Sequence, residues 1–198
     1  MITEIYLVRH CHSEYSSPED EEIRGLSERG YKDVLTVTEL LSEAGIQVVC
    51  SSPYARAVQT VQGIANLIGV SIDLDERFRE RDFAELGYAV EDRLGVMVRG
   101  LSEPDFTFPG GESNRDVELR GIGAMNHVLG KYRGKKVAVG IHGGIMTLIM
   151  RHFDSRFDED FLRHLPKPDI YSLTFEHDRY ISTQKIGAFG DKSNAYTT

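Results

Sequence analysis

The sequence predicts an α/β fold built on a mostly parallel sheet. Short apolar runs alternate along the chain with helical patterns, which is the order of strand-helix-strand units. The strand-like runs are continuously apolar rather than alternating, as expected of strands covered on both faces. At 198 residues, with no repeat, linker or low-complexity stretch, the chain reads as one domain over residues 1–198. A chain of that length buries roughly 70% of its unfolded surface.

Ile2 to Val8 reads as the first buried strand, rich in the β-formers Ile5, Tyr6 and Val8. Ser27 can cap a helix running to about Glu43, with Tyr31, Val34, Leu35, Thr38 and Leu41 as its apolar stripe and Gly45 as its stop. Ile46 to Cys50 is a second strand. Ser51-Ser52-Pro53 then opens a helix with Pro53 at its first position, and Gly69 closes it. Val70, Ile72 and Leu74 form a third strand, followed by the polar segment Asp75 to Gly87. Val90, Leu94, Met97, Val98 and Leu101 keep helical spacing. Ser102 to Gly111, with two prolines and two glycines, is a loop. Ser113 and Asp116 resemble a capping box for a long helix carrying Ile122, Met125, Val128 and Leu129. Lys136 to Ile141 is a strand and Gly144 to Phe153 a helix. Tyr171 to Phe175 and Tyr180 to Lys185 close the chain as a hairpin around His177-Asp178.

The composition excludes some functions. Hydrophobic residues at 40% and charged residues at 27% are those of an ordinary globular protein. The formal net charge of -8 argues against nucleic acid or an anionic membrane as partner, since both need a basic face. It leaves room for a small anionic substrate, which responds to the local field of a pocket. Two cysteines, Cys11 and Cys50, cannot build a disulfide framework, and a reduced cytosolic setting is expected. The first apolar stretch is too short for a signal peptide, and the run Ile145 to Met150 is too short to span a bilayer.

In open α/β sheets, ligands bind beyond the carboxyl ends of the strands. The first strand ends at Arg9-His10-Cys11-His12-Ser13. The second leads to Arg56 in the next helix, the third to Glu80, and the Val137 to Ile141 strand to His142-Gly143-Gly144. Two histidines, two arginines and a carboxylate therefore converge on one sheet edge. Arginines are planar, permanently charged donors suited to phosphate oxygens. Helix N-termini add backbone N–H groups. A neutral imidazole can be a nucleophile, and a carboxylic acid can protonate a leaving oxygen. The set suits phosphoryl transfer through a phosphorylated histidine, with no metal and no cofactor.

These residues carry a resemblance to the histidine phosphatase superfamily, also called the phosphoglycerate mutase-like family. Arg9-His10-Cys11-His12-Ser13 resembles its Arg-His-Gly-Glu-Thr signature, and Leu26-Ser27-Glu28-Arg29-Gly30 its Leu-Thr-x-x-Gly element. Ser51 to Thr60 resembles the second signature. Phe78-Arg79-Glu80-Arg81-Asp82-Phe83 resembles the segment carrying the acid, and Phe108 to Ser113 and His142-Gly143-Gly144 complete the set. The resemblance implies a three-layer sandwich, a mixed and mostly parallel sheet with helices on both faces, and a partial lid from about Ala89 to Gly111. It implies that His10 attacks phosphorus, that Arg9, Arg56 and His142 hold the phosphoryl oxygens, and that Glu80 is the acid. Ser16, Ser113 and Gly143 would contact substrate.

The chain also departs from the pattern. Cys11 replaces a glycine, either as a small side chain that fits or as a redox-sensitive thiol. His12 replaces the usual Glu or Gln. Ser16 stands where many members have Asn, and Ala84 and Leu86 replace the common Gly and Trp. Such departures suggest a divergent member with its own substrate. Arg77, Arg79 and Arg81 flank Glu80, either reaching substrate or forming a solvated cluster. Phe106 and Phe108 in the lid suggest a leaving group that is not purely polar.

Several rivals are weaker. A cysteine-dependent phosphatase needs an Arg six residues after its Cys, but residue 17 is Ser17. Zinc at His10, Cys11 and His12 is disfavoured because neighbours on a strand end point apart. A phosphoglycerate mutase and a non-catalytic phosphate-binding module remain alternatives. The compact Pro109 to Ser113 loop resembles the smaller phosphatases, so a phosphatase acting on a small phosphorylated metabolite is the favoured reading. Activity is expected to be bell-shaped in pH and to favour acidic to neutral conditions.

Overall fold

A computed structural model describes residues 1–14, 21–187 and 189. Six strands form one sheet: β1 (Ile2–Arg9), β2 (Val48–Ser51), β3 (Ile72–Leu74), β4 (Lys136–Ile141), β5 (Asp169–Glu176) and β6 (Arg179–Lys185). The spatial order is β3-β2-β4-β1-β5-β6. β3, β2, β4 and β1 run parallel, while β5 and β6 are antiparallel additions at one side.

Among the described residues, six α-helices accompany these strands: α1 (Glu28–Ala44), α2 (Ala55–Ile68), α3 (Arg93–Ser102), α4 (Asn114–Lys131), α5 (Gly143–Phe153) and α6 (Glu159–His164). Two cores lie on opposite faces of the sheet. Ile5 and Leu7 of β1 pack with Val137, Val139 and Ile141 against α4, α5 and α6. Tyr6 and Val8, the alternate residues of β1, pack with Ala138 against α1 and α2. Because successive side chains point to opposite faces, both must be apolar, and the strand loses its alternation. The architecture is the three-layer α/β sandwich with a mixed, mostly parallel sheet.

Local signals set several boundaries. The Ser27 hydroxyl accepts from the Gly30 N–H, and α1 ends at Gly45, left-handed at φ 76°. Gly69 ends α2 in the same way at φ 71°. Ser113 and Asp116 form both halves of the capping box of α4.

Elsewhere the fold corrects the expectations. The buried stripe of α1 is Gly30, Val37 and Leu41; Tyr31 and Leu35 are exposed. The apolar residues of α1 surround too much of the helix to define one stripe, so its packing against α2 selects the face. α2 begins at Ala55 rather than Pro53, because the Ser52 hydroxyl accepts from the Tyr54 N–H and holds those residues in a turn. The short helix α6 was not expected. It rests on an Asp158 cap and a single buried residue, Leu162, which is too little periodicity to read.

Candidate active site

The register brings the four parallel strands to a common edge. Arg9 lies opposite Ile141, Ser51 opposite Gly140, and Leu74 opposite Ser51. Residues just beyond these ends are therefore neighbours although they are distant in sequence. They open into a cavity of about 660 Å³ lined by Arg9, His10, Arg56, Glu80 and Gly143, among others.

His10 is buried, and its Nδ1 lies 2.7 Å from the Cys11 carbonyl oxygen. A carbonyl only accepts, so Nδ1 carries the proton and the lone pair of neutral imidazole is on Nε2. Burial holds the His10 pKa well below its usual value, aided by Arg56, His142, Lys167 and Arg9. The ring is thus neutral across the neutral range, as a nitrogen nucleophile must be.

His142 follows β4 and its ring centroid is 5.3 Å from that of His10. Its Nε2 is 2.8 Å from the Ser52 hydroxyl. That hydroxyl already accepts from the Tyr54 N–H, so its proton can point to His142 Nε2. With the ring in that tautomer Nδ1 carries the N–H, and Nδ1 is buried with no hydrogen-bond partner among the described residues. A buried donor of this kind suits an anionic ligand. Burial, then Arg56 and Arg24, holds His142 neutral as well.

Both arginines are almost fully buried. Arg9 Nη1 donates to the Leu165 and Pro166 carbonyls, which fixes its guanidinium. Arg56, in the first turn of α2, donates to the Glu21 carbonyl and carboxylate, both at 2.6 Å. Burial pulls its pKa down to about 10, which still leaves it charged at neutral pH.

Glu80 follows β3 through a short 3-10 turn (Glu76–Phe78). It reaches the N-terminus of α5. Oε2 accepts from the Gly144 N–H at 2.9 Å; Oε1 accepts from Ile145 at 3.1 Å and from Arg81 at 3.0 Å. A Cβ at residue 144 would meet Glu80 Oε1 at 2.6 Å and Met97 Cε at 2.9 Å, so only glycine permits this approach.

The structure thus brings together His10, Arg9, Arg56, Glu80, His142 and Gly143. One other expected contact is not found there. Ser113 does not line the cavity, because its hydroxyl donates to Asp116 Oδ2 and accepts from the Asp116 N–H in the cap of α4. Ser16 lies outside the described residues.

Other expectations change. Cys11 is fully buried, and burial pushes its thiol up to about 12, which contradicts a redox-sensitive thiolate. It belongs to the core on the α1/α2 face. None of the arginines around Glu80 lines the cavity; Arg77 and Arg79 form part-exposed ion pairs, as the solvated-cluster reading expects, and Arg81 does not. Arg81 is buried on Asn114 and the Glu112 and Phe106 carbonyls. Arg77 pairs with Asp75, and Arg79 with Asp82 and Glu112. Phe108 packs on Tyr88 and Phe106, and Arg99 lies over Phe106. The apolar lining comes instead from Phe83, Val90, Leu94 and Met97. His127, His152, His164 and His177 are exposed and lie away from the cavity.

Sequence reasoning missed three groups. Arg120 of α4 donates to the Arg77, Arg79 and Glu80 carbonyls and pairs with Glu112, so it holds the loop that carries Glu80. Lys167 lines the cavity after α6, beside a cis bond to Pro168. Burial, then Arg9, Arg24 and Arg56, lowers its pKa to about 7. Glu21, Arg24 and Arg93 also line the cavity. No motif marks these groups, since their partners come from other elements. His12 lines the cavity too, with Nδ1 2.8 Å from the Ser27 hydroxyl. Among the described residues no three His, Cys, Asp or Glu side chains gather as a metal-ligand set, and no helix is long and apolar enough to cross a membrane.

A family model for the histidine phosphatase superfamily (branch 1) matches residues 5–185. The chain belongs to this superfamily. A probable phosphoglycerate mutase GpmB of Cronobacter sakazakii is 29% identical over 151 residues, 71% of this chain and 69% of its own. Three mycobacterial relatives are 29% identical over 158 residues, but the match spans 43% of their length. Among solved structures, the mycobacterial glucosyl-3-phosphoglycerate phosphatase Rv2419c with VO3 superposes at TM-score 0.74 and 18% identity, covering 94% of this chain and 99% of its own. Bacillus stearothermophilus YhfR superposes at 0.71 and 20% identity, covering 90% and 94%. At those identities the structures establish the shared fold. Superfamily membership supports an enzyme of the phosphatase or mutase type.

Proposed function

We propose that this histidine phosphatase superfamily member hydrolyses a small phosphomonoester through a phosphohistidine on His10, without a metal. The observation that carries this reading is the His10 ring: neutral, buried, and with its lone pair directed to Nε2 by the Cys11 carbonyl. Nε2 attacks phosphorus as the bond from phosphorus to the ester oxygen breaks. Arg9, Arg56 and the His142 Nδ1–H stabilise the phosphoryl oxygens. Glu80 gives its proton to the leaving oxygen. Glu80 Oε1 already accepts two N–H bonds whereas Oε2 accepts one, so Oε2 keeps a lone-pair position for that proton. Water then attacks phosphorus, the N–P bond breaks, and Glu80 takes the water's proton. His10 and Glu80 return to their starting states.

The test is phosphate release from p-nitrophenyl phosphate and a panel of metabolite phosphates, with EDTA present. Wild type should release phosphate and His10→Ala should not. Glu80→Gln should lose roughly 10²–10⁴-fold in rate. Loss of wild-type activity in EDTA would overturn the metal-free mechanism. The match to a probable phosphoglycerate mutase favours a second reading, phosphoryl transfer between substrates. Interconversion of phosphoglycerates without net phosphate release would replace hydrolysis by that reading.

A further inference from the structure

Glu21 lines the same cavity as His10, yet the resemblance gives it no role. Its carboxylate lies among three guanidinium groups. Oε1 is 2.6 Å from Arg56 Nη2 and 3.0 Å from Arg24 Nη2, and Oε2 is 3.3 Å from Arg93 Nη1. The Glu21 carbonyl accepts from Arg56 Nη1 at 2.6 Å. Both terminal nitrogens of Arg56 are therefore engaged by one residue. The Arg56 side chain is 1% exposed and that of Glu21 is 21% exposed, so the carboxylate approaches Arg56 from the cavity side.

Three arginines around one carboxylate leave an excess of positive charge among these four groups. A phosphoryl dianion would balance it better than a single carboxylate. A dianion beside the Glu21 carboxylate would also meet direct like-charge repulsion, which is strong where water is scarce. The two anions exclude one another from the Arg56 fork.

We propose that Glu21 is a resident competitor for the phosphoryl seat: its carboxylate holds Arg56 in the ligand-free enzyme and must swing away before a phosphoryl group binds there. Glu21 then sets the affinity for substrate phosphate, since apparent binding is weakened by the fraction of molecules whose seat is occupied. This rests on the reading that Arg56 grips phosphoryl oxygens.

The experiment is calorimetric titration of the full chain with inorganic phosphate and with orthovanadate, for wild type, Glu21→Gln and Glu21→Ala. Circular dichroism and melting temperature check that each variant folds; if the alanine variant does not, the near-isosteric Gln variant carries the test. The expected result is tighter binding, on the order of tenfold for Ala and less for Gln, whose neutral amide still accepts hydrogen bonds. KM for p-nitrophenyl phosphate should fall with it. Unchanged or weaker phosphate binding would overturn the proposal and make Glu21 a residue that orients Arg56. The two readings fail separately. If wild type hydrolyses esters but the variants bind no tighter, only the competitor role fails. If neither wild type nor the variants bind phosphate, both fail.

Discussion

At the scale of single residues, burial sets the protonation of the basic groups around the cavity. Burial is the largest influence on His10, His142 and Lys167, and it favours the neutral form of each. The histidines consequently do not titrate near neutrality, whereas Lys167, at about 7, does. The sign for ligand binding follows from charge. A bound phosphoryl anion favours charged Lys167 and raises its pKa, so the complex holds more protons than the free enzyme. The lysine's contribution to affinity should be full below pH 7 and fall as pH rises above it. Calorimetry in buffers of different ionisation enthalpy should show proton uptake at pH 7–8 for wild type, reduced in Lys167→Met. Equal uptake in both proteins would remove Lys167 from the site. Because phosphate itself titrates in this range, the difference between the proteins is the informative quantity. The sign for stability is separate. The native lysine binds fewer protons than the unfolded one between about pH 7 and 10, so its contribution to stability rises with pH in that window.

At the scale of elements, the Glu80 loop and the start of α4 act as one unit. Arg120 has its planar fork on three loop carbonyls and on Glu112. Lysine cannot reproduce that geometry. Arg120→Met should lower kcat by up to about 10²-fold through misplacement of Glu80, and Arg120→Lys should not rescue it. Steady-state kinetics with a full pH profile checks this; wild-type kcat in Arg120→Lys would refute it. Ser113 marks the opposite case. Its hydroxyl is bound within the cap of α4, so Ser113→Ala should cost about 1 kcal/mol. For a domain of this size that is roughly 2–4 °C in melting temperature. KM should not change, and a raised KM would return Ser113 to the substrate site. The capping box was legible in the sequence because it is local, whereas the Arg120 fork was not, because the carbonyls it holds lie 40 to 43 positions away.

At the scale of the whole molecule, the sheet joins four strand ends at one cavity, the proposed phosphoryl site, inside a chain of net charge -8. Ligand binding and folding are therefore linked. Vanadate at a hundred times its Kd should stabilise the protein by about 2.7 kcal/mol. That is roughly 5–10 °C in melting temperature for a chain of this length. The shift should vanish in Arg56→Ala, measured against that variant's own ligand-free melting temperature; a retained shift would place the anion elsewhere. The sequence by itself determined the α/β class, most strand and helix positions, and the members His10, Arg9, Arg56, Glu80, His142 and Gly143. These follow from apolar runs, caps and strand-end motifs, all of which are short-range signals. Tertiary structure alone decided which face of α1 is buried, that Cys11 sits in the core with its thiol pKa pushed up by burial, that Ser113 does not line the cavity, and that Phe83, Val90, Leu94 and Met97 line the cavity in place of Phe106 and Phe108. It also decided that Glu21, Arg24, Arg93 and Lys167 share the pocket with His10. The physical reason is common to all of these. Burial and pairing depend on groups contributed by other elements, and no local pattern encodes which groups those will be.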